Sequence, residues 1–218
     1  MSPRNKTTLV IMANSYRDGE RCVAGIDVKT GEWVRPVSGP EGKPVTWDMR
    51  NVGGEEPQLL DVVEMSLQSH GPDLGCQPEN RILHSERWKK VGILTAKKAA
   101  AYCENAETIL HNHDNFVDLA YFATIPKRQW KSLQLVRPTS VEFYATTWEN
   151  KKRWRVLLRH GKNNQLDLPL TDPKAIERLN SSEAISPNCL LTISLGGPWP
   201  SDSVTPKCYK LVAGVIEQ

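Results

Sequence analysis

This 218-residue chain has no cysteine framework. Its five cysteines, Cys22, Cys76, Cys103, Cys189 and Cys208, are scattered, odd in number and never spaced as CxxC. That pattern excludes a disulfide scaffold and a closed structural zinc site of ordinary spacing. They read as free thiols, mostly buried, in a reducing compartment. Long apolar runs are missing too. The N-terminal run, residues 9–13, spans five positions, too few for a signal-peptide core. No later stretch approaches the ~20 apolar residues of a membrane span. The expectation is a cytoplasmic protein with no membrane partner. Neither a Ser-His-Asp nor a Cys-His ordering stands out, and no glycine loop cradles a phosphate. Gly53-Gly54 and Gly196-Gly197 are isolated pairs that read as turns. No catalytic residue, resident metal or cofactor is therefore expected, and the case is for a binder rather than an enzyme.

Acid is scarce in one window. Residues 127–162 carry ten basic side chains against two acids, Glu142 and Glu149, a net +8; the whole chain is +3, which leaves −5 elsewhere. Trp130, Trp148 and Trp154 lie in the same window. A concentrated cationic stretch interleaved with aromatics is the footprint of a polyanion-binding surface, because phosphates supply charge and bases supply flat faces. A solvated barrel face whose arginines keep the protein soluble would look the same from charge alone. The remaining composition, 39% hydrophobic and 24% charged, is that of a globular chain and excludes global disorder.

Short alternating runs separated by turn residues dominate. Residues 9–14, 21–28 and 32–38 predict a meander joined by Arg17-Asp18-Gly19 and Lys29-Thr30-Gly31. Residues 39–57 read as a long exposed loop, 59–68 as a half-buried strand and 82–94 as another. A helix is predicted from the cap Thr95 through residue 110, with Tyr102, Ala106, Ile109 and His113 as its apolar stripe. Residues 116–123 continue it or form a second short helix. Strands resume at 133–145, 153–160, 165–170, 189–195 and 209–216, with a short helix after Asp172-Pro173. The expected fold is mainly β with minor α: two small barrels or one elaborated β domain. The expected parts are 1–94, a helical connector 95–123, and a basic 124–218. WVRPVS at 33–38 and LVRPTS at 135–140 hint at an internal duplication.

The best-defined candidate is the strand at 153–160. Alternation puts Trp154, Val156, Leu158 and His160 on one face, and Arg153, Arg155, Leu157 and Arg159 on the other. Same-face neighbours lie about 6.6–6.8 Å apart, near the phosphate spacing of an extended single strand. Lys151 and Lys152 lengthen that track. The alternative is a core Trp154 with arginines facing water. Trp88 beside Lys89, and Trp130 beside Arg128, are candidate stacking platforms, although most tryptophans are buried for packing. Arg35 and Arg137 precede prolines, which force extended backbone and place each at a strand end or edge. Pairing with an acid such as Asp27 or Asp61 is the structural alternative. His111 and His113 invite a metal reading, but helix-end capping fits better. Asp27, Asp61 and Glu64 are the one acidic group that could serve a metal-dependent nuclease.

Five segments carry a family likeness: SYRDGERCVAGID at 15–27, GEWVRPVS at 31–38, LDVVEM at 60–65, SLGGPW at 194–199 and CYKLVAGVIE at 208–217. Through them the chain resembles the bacterial dual OB-containing domain family. The resemblance implies two OB-like β-barrels, here joined by the helical segment, and a role with nucleic acid or nucleotides. It adds Ser15, Arg17, Trp33 and Arg35 as candidate binding positions, and makes Cys22, Ala24 and Gly25 close-packed strand residues. It implies no catalytic residue. The expected function is non-enzymatic binding of single-stranded DNA or RNA through a basic groove and aromatic stacking. A protein-interaction subunit and a metal-dependent enzyme on nucleic acid or nucleotides are the alternatives.

Overall fold

The computed structural model describes residues 5–17, 19–84, 87–161, 164–200 and 205–218; the side chains at 5, 17 and 164 lie outside that description. The chain divides into two compact units, Met1–Leu74 with Pro78–Tyr102, and Gly75–Gln77 with Cys103–Gln218. Both are built mainly from antiparallel strands. Among the described residues no helix is long and apolar enough to cross a membrane.

In the first unit the elements run β1 (Asn5–Arg17), β2 (Glu20–Asp27), β3 (Trp33–Val37), α1 (Trp47–Arg50), β4 (Asp61–Leu67), β5 (Asn80–Ile82), β6 (Lys89–Ile93) and α2 (Ala96–Ala99). The sheet order is β5-β3-β2-β1-β4-β6. Its two edge strands belong to one stretch of chain. β5 runs parallel to β3, β6 runs antiparallel to β4, and Leu83 between them touches both edges. The Leu83 N–H donates to the Val37 carbonyl at 2.8 Å, and the residue bridges Leu67. β5 with Leu83, and β6, thus act together as a fifth strand that closes the sheet on itself, in the order first, second, third, fifth, fourth.

Closure requires β1 to belong to both halves of that barrel, and it must bend. Its register with β2 slips between Ile11 and Ala13, which leaves Met12 as an extra residue in the ladder. Gly25 sits across from the slip. A Cβ there would lie 2.3 Å from the Val10 carbonyl oxygen, so only glycine admits the close approach. Leu9, Ile11, Val23, Val63, Met65 and Trp88 fill the core beneath it. The loop expected to be exposed at 39–57 is held down instead. Its buried Arg50 donates to Glu20 at 2.6 Å, to the Val45 carbonyl at 2.6 Å and to Glu56 at 2.7 Å, because a buried guanidinium needs every donor answered.

In the second unit come β7 (Phe116–Asp118), α3 (Leu119–Phe122), β8 (Leu133–Val136), β9 (Ser140–Trp148), β10 (Lys151–His160), β11 (Asn164–Pro169), α4 (Pro173–Asn180), β12 (Cys189–Leu195) and β13 (Lys207–Glu217). They form two sheets, β11-β10-β9 and β7-β13-β12-β8. The single strand expected over 133–145 breaks at Arg137-Pro138. Pro138 has no N–H to continue the ladder with β12, which ends at Val136. The chain re-pairs with β10 from Ser140, and Thr139 N–H donates to Arg159 O at 2.8 Å. On the far side a parallel bridge between Leu170 and Val212 joins the sheets. The order is again first, second, third, fifth, fourth, with α4 between the third and fourth strands. Asp172 caps α4 through Lys174 and Ala175 N–H, and its second oxygen accepts from Val215 N–H at 2.9 Å.

Two expectations fail here. Thr95 does cap a helix, its Oγ1 accepting from Lys98 N–H, but α2 is four residues long and continues only as a 3-10 turn, Ala100–Tyr102. Tertiary partners take the backbone beyond it: Glu104 N–H donates to Leu135 O, and Leu110 N–H to Gln134 Oε1. Long-range hydrogen bonds outweigh the apolar stripe. The duplicated words also fail as a repeat mark. One lies on β3, a third strand, and the other on β8, a first strand.

None of the five cysteines forms a disulfide, and burial pushes the Cys189 thiol up to about 12. Lys210 on β13 is fully buried. Its ammonium donates to the Asn112 carbonyl and to Asn112 Oδ1, each at 2.8 Å. Burial lowers its pKa from 10.5 to about 8, against the opposing pull of Asp114. A lysine depressed in the folded state costs stability while charged, and that cost disappears as pH rises from about 8 toward 10.5. Melting temperature measured across that window should rise more in the wild type than in Lys210→Met; parallel curves would show that the ammonium carries no penalty. Gly25→Ala should cost about 2–4 kcal/mol by chemical denaturation, because backbone rather than a flexible side chain blocks the new Cβ.

Candidate nucleic-acid interface

The β9–β10 hairpin closes in two residues, Glu149 (φ 49°) and Asn150 (φ 59°), both left-handed. Such turns match the right-handed twist of the flanking strands. Alternation then sorts the side chains. Val141, Phe143 and Trp154 pack against the core around buried Val156 and Leu158. Outward lie Trp148, Tyr144, Lys151, Arg153, Arg155, Leu157 and Arg159, with the acids Glu142 and Asp167 among them.

Electrostatics divides that outer face. Arg155 donates from Nε to Asp167 Oδ1 at 2.9 Å and from Nη2 to the Asp167 carbonyl at 2.8 Å, while Tyr144 donates its hydroxyl to Asp167 Oδ2 at 2.7 Å. The hydrogen bond to that carboxylate, then burial, raises the Tyr144 phenol above its ordinary value, so it stays a donor. Arg155 is therefore neutralised and fixed, a brace rather than a free cation. Lys151 and Arg153 are exposed and have no ion-pair partner among the described residues. Arg159 is exposed and held at 3.0 Å by neutral Gln165, so it keeps its charge. Lys152 turns to the opposite side and sits 4.5 Å above the Trp154 ring. That ring is half-buried, and its Nε1 donates to Asn180 of α4 at 2.8 Å, which makes it a packing residue.

The other sequence candidates scatter by environment. Arg128 and Arg137 are exposed in the second unit, as is Lys89 in the first. Trp130 is half-buried, with Nε1 donating to Phe122 O at 2.9 Å and its ring packed on the core, so only an edge remains for a ligand. Trp88, just before β6, is 3% exposed and packed into the core of the first unit, so it cannot offer a face to a base. Arg35 and Ser15 are likewise buried. Arg35 donates to Asn80 at 3.2 Å across the β3–β5 pair, so its head is not at a partner's disposal. Ser15 Oγ lies 3.4 Å from the Cys22 carbonyl. Trp33 is half-buried at the start of β3. The Arg17 side chain lies outside the described residues.

The acidic group does not assemble. Asp61 pairs with Lys90 at 2.6 Å, Glu64 with Lys6 at 2.9 Å, and Asp27 accepts from Lys29 N–H in a turn. Asp61 and Glu64, three apart on β4, face opposite sides of the sheet. No cluster of three potential ligands occurs among the described residues. His111 caps no helix either; it sits in a left-handed turn with Nε2 2.8 Å from Lys131 O.

Two residues that sequence reasoning passed over as sites stand out in the fold. Trp148 is 66% and Trp199 67% exposed. Trp148 ends β9 beside the turn between the first and second strands of the second barrel, and Trp199 lies between the fourth and fifth strands. Alternation along β9 puts Trp148 on the outer face with Lys151, and Trp199 stands between Pro198 and Pro200 outside the named strands.

No curated protein sequence matches the chain. A solved structure described as "Crystal structure of the tetrameric p202 HIN2" aligns over 97% of this chain and 95% of its own at 9% identity, with a TM-score of 0.27, too low to argue from. The family model for the dual OB-containing domain covers residues 7–215, and both barrels have the strand order described above. The chain belongs to the dual OB-containing domain family.

Proposed function

We propose that the protein binds single-stranded nucleic acid, without catalysis, along the outer face of β9, β10 and β11 and at the two tryptophan-bearing loops of the second barrel. The observation that carries this is Trp148, two-thirds exposed at the hairpin tip beside the unpaired cations Lys151 and Arg153. In OB barrels the face of the second and third strands and the loops 1–2 and 4–5 take oligonucleotides. Here β10 and β11 are those strands, and the loops carrying Trp148 and Trp199 are those loops. Phosphates would meet Lys151, Arg153 and Arg159; bases would stack on Trp148 and slide past Leu157. Arg128, Arg137 and Lys152 add charge nearby in the chain. Buried Ser15, Arg35 and Trp88 take no part.

Three neutralised phosphates on a single strand give a slope of about −2 for log affinity against log salt. A filter-binding or anisotropy titration with a short unstructured oligonucleotide should return that slope. Lys151→Ala with Arg153→Ala should bring it to about −0.7. Trp148→Ala should weaken binding by roughly 1–3 kcal/mol at unchanged slope. A slope equal in the wild type and the double variant would remove this face from the site. No complex even at low salt, with a protein partner co-purifying instead, would favour the interaction-subunit reading.

A further inference from the structure

The second unit holds a cleft of about 270 Å³ that the proposed strand-binding face does not use. Its volume falls just below the ~300–1,000 Å³ of pockets for drug-sized ligands, room for one ring system with part of a sugar. One wall is aromatic. His111 and Tyr121 lie 5.4 Å apart between ring centroids, and buried Phe122 stands edge-on behind His111 at 5.1 Å. Tyr121 is 36% exposed and therefore presents surface to the opening. Part of the lining is polar. Glu104 and Lys131 form an ion pair at 2.5 Å, an acceptor and a donor side by side. Gln134, only 2% exposed, gives its Oε1 to the Leu110 N–H at 2.8 Å, which leaves its amide nitrogen to the cleft it lines.

The backbone is bent to build this wall. Leu110 (φ 46°) and His111 (φ 79°) are consecutive left-handed residues in a tight turn whose ends, Ile109 and Asn112, bridge one another. Neither is glycine, so both carry a Cβ into a conformation that L side chains disfavour. Strain of that kind persists where surrounding bonds over-determine it, and it clusters at ligand sites. Here the Gln134 side chain and the Lys131 backbone hold the turn, and the result is a histidine ring placed against Tyr121.

We propose that this cleft binds a single unpaired nucleobase carrying an exocyclic amine next to a ring nitrogen, as in adenine and cytosine. The ring lies against Tyr121 and His111, as unstacked bases do on aromatic side chains. Glu104 accepts from the amine, the pairing a carboxylate makes with cytosine N4. Lys131 or the Gln134 amide donates to the ring nitrogen. Uracil and thymine put a carbonyl where the amine would be, which sets two acceptors against each other at Glu104. The base can come from a free nucleoside or from a nucleotide splayed out of a strand. Only the second source rests on the strand-binding reading.

Calorimetric titration of the whole protein with adenosine, cytidine and uridine tests this directly. Adenosine and cytidine should bind, and uridine at least about tenfold more weakly. Tyr121→Ala should weaken the amino-bearing nucleosides by roughly fivefold or more, and Glu104→Gln should erase the preference over uridine, with circular dichroism confirming that both variants are folded. A parallel arm compares a short adenine- and cytosine-bearing strand with the same strand carrying abasic sites. Nucleoside binding without strand binding would leave the cleft in place and sink the strand-binding face. Strand binding that is indifferent to abasic sites, with no heat from nucleosides, would overturn the cleft and spare the face.

Discussion

Everything in each barrel depends on a first strand that must bend far enough to serve two sheet halves. An extended strand of uniform pleat pairs with neighbours on a gently twisted surface and leaves two open edges. The two units solve this differently. β1 inserts an extra residue at Met12 over a glycine that lets the backbones touch. The second unit breaks its strand outright, and a proline enforces the change of partner between β8 and β9. After that bend the remaining strands have little choice of position: the fifth must reach the third, through Leu83 in one unit and the Leu170–Val212 bridge in the other.

The loops are held by buried polar groups rather than by apolar packing. Arg50, Asp172 and Lys210 each bury a polar head, and each answers backbone groups that regular structure leaves unmatched. Unmatched donors and acceptors inside a protein are costly, so such residues fix loop geometry strongly. The same logic positions the candidate sites. Asp167 aligns Tyr144 and Arg155 on one face; Gln134 and Lys131 hold the turn that carries His111.

Strands were legible because their signal is local. Alternation at 153–160 reports directly which face meets the core, and the structure keeps that face, whereas the apolar runs at 9–14 and 189–195 are buried throughout. The helix from Thr95 was not legible as a single turn, since the bonds that end it come from Leu135 and Gln134, far along the chain. Charge counting marked a window, but it could not separate Arg155, neutralised by an aspartate on the adjacent strand, from Arg153, which is not. Trp88 looked accessible because lysines follow it, although its ring belongs to the core of the first unit. Trp199 has no cation beside it in sequence and was missed on that account. The Glu104–Lys131 pair joins residues 27 apart and has no signature in the sequence at all.

The hairpin that carries Trp148 has one further consequence. Its tip is made of two residues already confined to an unusual region of backbone space, so the tip has almost no slack left to surrender when something docks against it. A long, supple loop would lose conformational freedom on capture and gain affinity only after that loss. Under the proposed binding this indole would meet its partner pre-set, so contact there should discriminate by shape from the first encounter instead of moulding itself around whatever arrives.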